Sequence, residues 1–370
     1  MNKPGHVLFL HKFFFVDGGV ERVSQNLADG LQRLGVTCSF FVWDTQGDAA
    51  AGYQQLAKSY ATATPCQRLG RVGKLKQLIT CLREWRVDAI IAATETANML
   101  AFACKLYMPA LHVIYTRHSA LDTQEQRLPV WMVKALYNIY AMQRCTIVAV
   151  SKQLRDELKR VVRIPYSRIL CIPNAVIHPK LFELAAKPTE VLPAGAYFCA
   201  VGRLVQEKGF DLLLLAYARA YKREPELASL MIVGAGIEEA NLKQLAGRLG
   251  VEHKVRFTGF VSNPYALMRH ALAFVLSSRH EGMPTVMIEA MALGCPVIAF
   301  DCPTGPSELL AGGELGILVK AQDVTALAEA LMAPCVTSKN LAASVQQYHQ
   351  DYAARSYLQQ IQEQTWPESQ

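Results

Sequence analysis

VLSSRHEGMPTVMIEAMALGCPVIAFDCPTGPSELL, residues 275–310, reads as a buried strand, a turn, a helix and a second buried strand. The apolar run AFVLSS (273–278) ends at Glu281 and a Gly-Met-Pro turn, a helix begins near Thr285, and PVIAF (296–300) is the next strand. A strand, helix and strand joined by short turns give parallel strands linked by a crossover, the unit of an α/β sheet. In open sheets of this kind ligands bind beyond the carboxyl ends of the strands. The backbone amides of Gly282, Met283, Pro284 and Thr285 open the helix, apart from the proline, which has none. Such a helix N-terminus suits an anion such as a diphosphate. Glu289, about one turn in, points back to the same mouth and can accept two hydroxyl hydrogen bonds, for which vicinal ribose hydroxyls are the natural guest. A single acid in a first turn does no more than stabilise the helix dipole; Glu281 and Glu289 flanking this turn go further. They are expected two turns apart at the start of one helix, with different guests.

The same rhythm runs along the whole chain. HVLFLH, TCSFFVW, AIIAAT, HVIYTR and TIVAVS precede the midpoint, and YFCAVGRL, SLMIVGAG, KVRFTGF, AFVLSS and PVIAF follow it, with helical stretches between. The break is PNAVIHPKLFELAAKPTEVLPAG, with prolines at 173, 179, 188 and 193 and no sustained periodicity. The reading is α/β throughout: two doubly wound, Rossmann-like parallel-sheet domains, 1–178 and 193–345, a linker at 179–192, and a C-terminal helical segment, 346–370, able to pack back on the first domain. A length of 370 residues suits two domains at roughly 100–200 residues each.

Composition excludes several classes. With 51% hydrophobic and 19% charged residues the chain is folded, not disordered. No stretch approaches the ~20 apolar residues of a membrane span. His11 and Lys12 interrupt the apolar N-terminus, and no small-x-small cleavage site follows, so it reads as a first strand and not a signal peptide. The ten cysteines lack C-x-x-C pairs and ligand spacing to histidine, so they are expected as reduced, small hydrophobes in a cytoplasmic protein. The net charge of +7 hides an asymmetry: residues 1–180 carry 23 basic against 12 acidic side chains, and 181–370 carry 15 against 19. A half at +11 beside one at −4 suggests that the first meets an anionic partner, whether nucleic acid, a phosphorylated substrate or an acidic membrane face.

Two other strand ends carry glycines. In VDGGVER (16–22), Gly18 and Gly19 are expected to allow positive φ and close backbone approach before a helix, offering N–H groups to an anion. IVGAGIEEA (232–240) imitates a dinucleotide fingerprint, but Glu239 replaces its third glycine and no acidic ribose partner follows; a tight structural turn is the better reading. After YFCAV, the segment G-R-L-x-x-x-K-G places Arg203 and Lys208 at a strand end, where a rigid bidentate fork and a point charge divide the work of neutralising a diphosphate.

Taken in order, Gly18-Gly19-Val20-Glu21, Pro173-Asn174-Ala175-Val176, Val201-Gly202-Arg203 with Lys208-Gly209, and the pair Glu281/Glu289 resemble the glycosyltransferase family 4 group of retaining, nucleotide-sugar-dependent enzymes with the two-domain GT-B fold. The resemblance covers nearly the whole chain and implies a donor held chiefly by the C-terminal domain. It implies Arg203 and Lys208 on the diphosphate, Glu289 on the ribose, Glu281 on the transferred sugar, backbone near Phe260 on the base, and Gly282 to Thr285 on the phosphates. Gly18 and Gly19 fall with the donor-binding set, and His118 in YTRHS falls where many members keep a histidine near the reacting sugar. It further implies front-face displacement, with retention and without a metal or other cofactor. A glycosidase-like pair of carboxylates about 5 Å apart is not evident.

The +11 half is then expected to face the acceptor. In SKQLRDELKRVVRI (151–164), Lys152, Arg155, Lys159 and Arg163 share one side of a helix, and Arg68, Arg71, Lys74, Lys76, Arg83 and Arg86 form a second basic cluster. Such a helix can lie on an anionic leaflet. The expected partners are a nucleotide-sugar donor, most simply UDP-linked, a lipid-linked or phosphorylated glycan acceptor such as lipopolysaccharide core or O-antigen, and the inner face of the cytoplasmic membrane, met by a monomer. Nucleic acid is disfavoured because no recognition motif or aromatic-interleaved basic patch is present. Rival readings are a GT-B enzyme of epimerase-like chemistry, against which the Glu281/Glu289 pattern speaks, and a non-catalytic binding protein, which need not keep the phosphate cations.

Overall fold

The structure is a computed structural model that describes residues 5–365, apart from 17, 119–128, 144, 165–167, 190–191 and 335–339. The chain divides into two compact units, Met1–Val176 with Tyr348–Gln370, and Ile177–Gln347.

The first unit runs β1 (His6–His11), α1 (Gly19–Arg33), β2 (Thr37–Val42), α2 (Ala49–Leu56), β3 (Ala61–Ala63), α3 (Arg71–Glu84), β4 (Ala89–Ala92), α4 (Glu95–Tyr107), β5 (His112–Arg117), α5 (Val130–Met142), β6 (Thr146–Ala149), α6 (Lys152–Val161) and β7 (Arg168–Cys171). All pairings are parallel, in the order β3-β2-β1-β4-β5-β6-β7. Burial on both faces explains the nearly unbroken apolar strands. Val7 and Phe9 of β1 join Leu27, Ala28 and Leu31 of α1 in one core, while the crossovers from β3 to β7 all step the same way and place α3 to α6 on the opposite face.

The second unit runs α7 (Pro179–Ala185), β8 (Tyr197–Val201), α8 (Phe210–Arg223), β9 (Ser229–Val233), α9 (Glu239–Arg248), β10 (Val255–Phe257), α10 (Tyr265–Arg269), β11 (Ala273–Leu276), α11 (Thr285–Ala292), β12 (Val297–Asp301), α12 (Pro306–Leu309), β13 (Ile317–Lys320), α13 (Val324–Met332) and α14 (Leu341–Ser344). Its parallel sheet has the order β10-β9-β8-β11-β12-β13. Phe198, Leu230, Val275 and Phe300 pack with Leu213, Leu214 and Tyr217 of α8 and Leu327 of α13. The two Rossmann-like parallel-sheet domains read from the sequence are both present.

Boundaries differ from the sequence reading. Residues 179–185 of the expected linker form α7, with Pro179 in the first helical turn, where its missing N–H is no loss. Leu181 and Ala185 are buried, and Asn263 Nδ2 donates to the Leu184 carbonyl at 2.9 Å, so this segment belongs to the second unit. Four prolines suggested an open strand of linker, but two of them only frame a short helix. Residues 190–191 of that linker lie outside the described residues. The last helix, α15 (Gln350–Thr365), belongs to the first unit: Ala353, Ala354 and Tyr357 join the α1 core, and Arg33 pairs with Asp351. Gly30 permits this crossing, since a Cβ there would stand 2.9 Å from that of Ala354. Residues 366–370 of the predicted segment lie outside the described ones.

The nine cysteines among the described residues are free, and seven are buried. Burial pushes the Cys104 thiol up to about 12, away from thiolate chemistry. Cys335 lies outside the described residues. No helix among them is long and apolar enough to cross a membrane.

Candidate functional site

Strand order in the second sheet reverses between β8 and β11, since β9 and β10 build outward on one side and β12 and β13 on the other. The loops leaving such a switch point diverge and open a crevice. Arg203 and Lys208 leave β8, and residues 277–284 leave β11 for α11. Lys208 Nζ donates to Glu281 Oε1 at 2.6 Å, and Ser278 Oγ donates to the same oxygen, also at 2.6 Å. The Glu281 side chain is only 7% exposed and that of Lys208 25%, so this is a largely desolvated ion pair. Arg203 is exposed on the same loop.

Glu281 is therefore not on the helix. It lies four residues before α11, held by Lys208, while Glu289 is within α11, buried, and accepts from the Tyr265 hydroxyl at 3.3 Å. The expectation of both at the start of one helix is corrected, because Gly282 to Pro284 form a non-helical turn. The carboxylates have separate surroundings. Met283, in the turn that leads into α11, is buried. Phe260 follows β10 and is exposed; its neighbour Gly259 bridges to Gly234. A Cβ at Gly234 would overlap the Gly202 carbonyl and one at Gly236 the Leu204 carbonyl, so those glycines serve close backbone packing.

Sequence reasoning missed the side chains that hold these loops. Arg279 donates to both oxygens of Asp211 at 2.7 Å and to the Gln206 carbonyl at 2.7 Å. Its N–H donates to the Glu207 carbonyl at 2.8 Å, and Ser277 Oγ donates to the Lys208 carbonyl at 3.1 Å. The Arg279 charge holds the Asp211 carboxyl below its ordinary range against the opposing effect of burial. On the other side, Thr304, at φ +62°, donates to the Glu281 carbonyl, and Gly305, at φ +100°, lies against Pro284. A non-glycine residue at positive φ marks a site that the surroundings over-determine. The signals present were R-x-E-G and K-G-x-D at facing strand ends and T-G-P after β12.

Gly209 joins the two loops. It sits at φ +63°, where a Cβ would also overlap the Ser277 carbonyl oxygen. Gly209→Ala is expected to destabilise the second unit by more than ~1 kcal/mol. The clash would push the Lys208 loop off Ser277. An unchanged melting temperature would remove the close approach from the account.

The first sheet reverses between β1 and β4. Gly18 and Gly19 follow β1, but Gly18 is extended at φ −70° and Gly19 is the first residue of α1, so neither needs the positive φ expected of it. At Gly18 the missing Cβ leaves room for the Glu21 carboxylate instead. His118 follows β5. Its Nε2 lies 3.0 Å from Thr116 Oγ1, whose single proton goes to the Ala92 carbonyl at 2.6 Å. Nε2 therefore carries the proton and Nδ1 is the basic nitrogen. The Asn174 side chain stands beside the ring, and the strap carrying it is tied down by Asn26 Nδ2, which donates to the Ala175 carbonyl at 2.8 Å. Burial and the Arg117 charge lower the His118 pKa to about 4. Arg117 in turn pairs with Glu95 at 2.7 Å, and Tyr137 donates to the same oxygen at 2.7 Å. This buried polar group was not singled out in the sequence, although Glu95 directly follows the β4 run AIIAAT. Lys152, Lys159 and Arg163 are exposed on or just beyond α6, whereas Arg155 turns onto Asp156 at 2.8 Å. Among the described residues, no group of three or more His, Cys, Asp or Glu could hold a metal ion.

Comparison with known proteins identifies the family of each unit's sequence. The model for Glycosyltransferase Family 4 matches residues 17–178, and that for Glycosyl transferases group 1 matches 187–349. The chain thus belongs to the GT-B glycosyltransferases, joining a family 4 domain to a group 1 domain. It is 26% identical over 352 residues to the lipopolysaccharide core biosynthesis glycosyltransferase LpsD of Rhizobium meliloti, taking in 94% of this chain and 90% of that one. An uncharacterized glycosyltransferase of Methanocaldococcus jannaschii is 26% identical over 258 residues; the match spans 66% of this chain and 63%, just under two thirds, of that protein's length. The crystal structure of Anabaena HepE in complex with UDP superposes with a TM-score of 0.76 at 19% identity, over 97% of this chain and 100% of that one.

Proposed function

We propose that the protein transfers a hexose or N-acetylhexosamine from a nucleotide sugar, UDP-linked in the simplest case, to lipopolysaccharide core, O-antigen or another lipid-linked surface glycan, with retention of configuration and without a metal. The observation that carries this reading is the Lys208–Glu281 pair at the switch point of the second sheet. Lys208 and Arg203 are the cations for a leaving diphosphate. Breaking the glycosyl–phosphate bond builds negative charge there while the sugar becomes cationic, so fixed cations stabilise the transition state more than the ground state. With Oε1 of Glu281 held by Lys208 and Ser278, its other oxygen is the one left for a sugar hydroxyl. Glu289 is assigned to the ribose, Phe260 and its backbone to the base, and the Gly282–Thr285 turn to the phosphates. In front-face displacement the leaving phosphate takes the proton of the acceptor hydroxyl as that oxygen bonds to the anomeric carbon, so no enzyme nucleophile is required. The names of the relatives support the surface-glycan acceptor, and the UDP of the Anabaena structure supports the donor.

Thermal-shift screening against UDP-, GDP- and ADP-sugars tests the donor, since a ligand that binds the native state alone raises the melting temperature by mass action. A shift with one nucleotide class identifies it; no shift with any contradicts the donor site. If Arg203 and Lys208 replace a metal, donor consumption in excess chelator should equal that without it. Loss of activity that added divalent metal restores would overturn the metal-free assignment.

A further inference from the structure

Helices α3 to α6 lie side by side on one face of the first sheet. Phe102 of α4 meets Tyr140 of α5 with ring centroids 5.8 Å apart, and Asn138 of α5 donates to the Val161 carbonyl of α6 at 3.1 Å. Across this layer the outward surface changes character. The two middle helices are largely apolar outside as well as inside: Trp131, Ile139 and Met142 of α5 and Met99, Leu106 and Tyr107 of α4 are all 41–68% exposed, with Lys134 the one exposed charged residue within α4 and α5. Trp131, Ala135, Ile139 and Met142 follow one another at helical spacing and form a single exposed stripe. The two outer helices are basic outside, with Arg71, Lys76 and Arg83 exposed on α3 and Lys159, Arg160 and Arg163 exposed on or just after α6.

We infer that this layer is the surface by which the protein lies on an anionic bilayer, with the α4–α5 strip at the headgroup–acyl boundary and the α3 and α6 cations on the headgroups. The core does not account for the strip, because the same helices already bury Val133, Tyr137, Tyr140, Ala101 and Cys104 on their inner faces. An exposed apolar patch with charged flanks marks an interaction surface. Tryptophan favours the membrane interface, where its ring is buried and its N–H solvated. Each cation near an anionic leaflet adds to the electrostatic attraction. A second copy of the chain is the poorer occupant, since a two-fold contact through this self-complementary patch would bring basic flanks against basic flanks. The inference rests on the reading of a lipid-linked acceptor and adds how the enzyme reaches it.

The test uses the full chain with neither donor nor acceptor, and vesicles of phosphatidylcholine alone or mixed with phosphatidylglycerol. Co-sedimentation is expected with the mixed vesicles and should weaken as salt rises. The double substitution Trp131→Glu, Met142→Glu should reduce binding about tenfold or more with the melting temperature kept, both residues being exposed. Bromine on the acyl chains should quench tryptophan emission in the wild type, and Trp131→Phe should remove most of that quenching. Absence of binding to the anionic vesicles, or equal binding by the double variant, overturns the inference. A dimer in size-exclusion chromatography that the double variant converts to monomer also overturns it and assigns the strip to self-association. Donor consumption without vesicles is read separately: its absence beside intact vesicle binding would remove the transferase reading and leave the docking surface standing.

Discussion

Replacing Lys208 with alanine is expected to lower the rate of sugar transfer about 10²–10³-fold, the size of effect seen when one preorganised group facing developing negative charge is removed. Two consequences of one substitution add here. The diphosphate loses a fixed cation, and Glu281, with a side chain 7% exposed, loses its counter-charge. Leaving a buried carboxylate unpaired is costly in itself, so Lys208→Ala should also lower the melting temperature. Glu281→Gln separates the effects, because the amide keeps the shape and an acceptor oxygen for Lys208 and Ser278 but not the charge. Its rate should fall by a similar factor with little change in melting. A Lys208→Ala enzyme with near-normal kcat/KM would show that the pair is structural. Lys208→Arg keeps the charge in a different geometry and should fall between, since a fork does not replace a point charge against Glu281.

Acidification is expected to unfold the first unit before carboxylate protonation would. His11 and His118 are both buried enough to be held neutral: burial lowers His11 to about 3, and burial with the Arg117 charge lowers His118 to about 4. Above the ordinary histidine value of 6.5 neither state of the chain takes up these protons, and stability is unaffected. Below it the unfolded chain binds them and the native chain does not, so stability falls as pH falls, until the native values are reached. Once the unfolded chain is protonated each histidine contributes about 1.4 kcal/mol per pH unit, and the two together roughly 3 kcal/mol between pH 6.5 and 5. That is a large share of an ordinary domain's 5–15 kcal/mol. Denaturant midpoints measured across this range should fall steeply in the wild type and about half as steeply in His118→Gln. Equal slopes would mean that His118 is protonated in the native state. The same variant tests chemistry: transfer within about threefold of wild type, less than ~1 kcal/mol of transition-state stabilisation, would remove His118 from the catalytic residues.

Much of the fold was readable because strands buried on both faces appear as unbroken apolar runs; HVLFLH and HVIYTR coincide with β1 and β5 residue for residue. The strands that gave no such signal are β3, β7 and β13, three of the four outer strands of the two sheets, three or four residues long and partly exposed. An edge strand carries half the burial, so composition marks it weakly. The site divides in the same way. Arg203, Lys208 and Glu281 stand in loops that follow strand ends and Glu289 inside the next helix, as local pattern indicated. The contact between Lys208 and Glu281, 73 residues apart, depends on which strands are neighbours at the switch point, and no local pattern encodes strand order. Asp211 with Arg279, and Thr304 with the Glu281 carbonyl, were hidden for the same reason. Gly18 was misread in another way: a glycine that makes room for the Glu21 carboxylate looks the same in sequence as one that turns the chain.

The measurement that bears most directly on the whole account is release of nucleoside diphosphate from a panel of nucleotide sugars, with and without purified lipopolysaccharide core as acceptor, by wild type and Lys208→Ala in parallel. One donor should be consumed, faster with the acceptor present, at a rate that falls at least about 100-fold in the variant. Consumption of no donor, or equal consumption by both proteins, would contradict the assignment of the Lys208–Glu281 crevice as the place where the sugar is transferred.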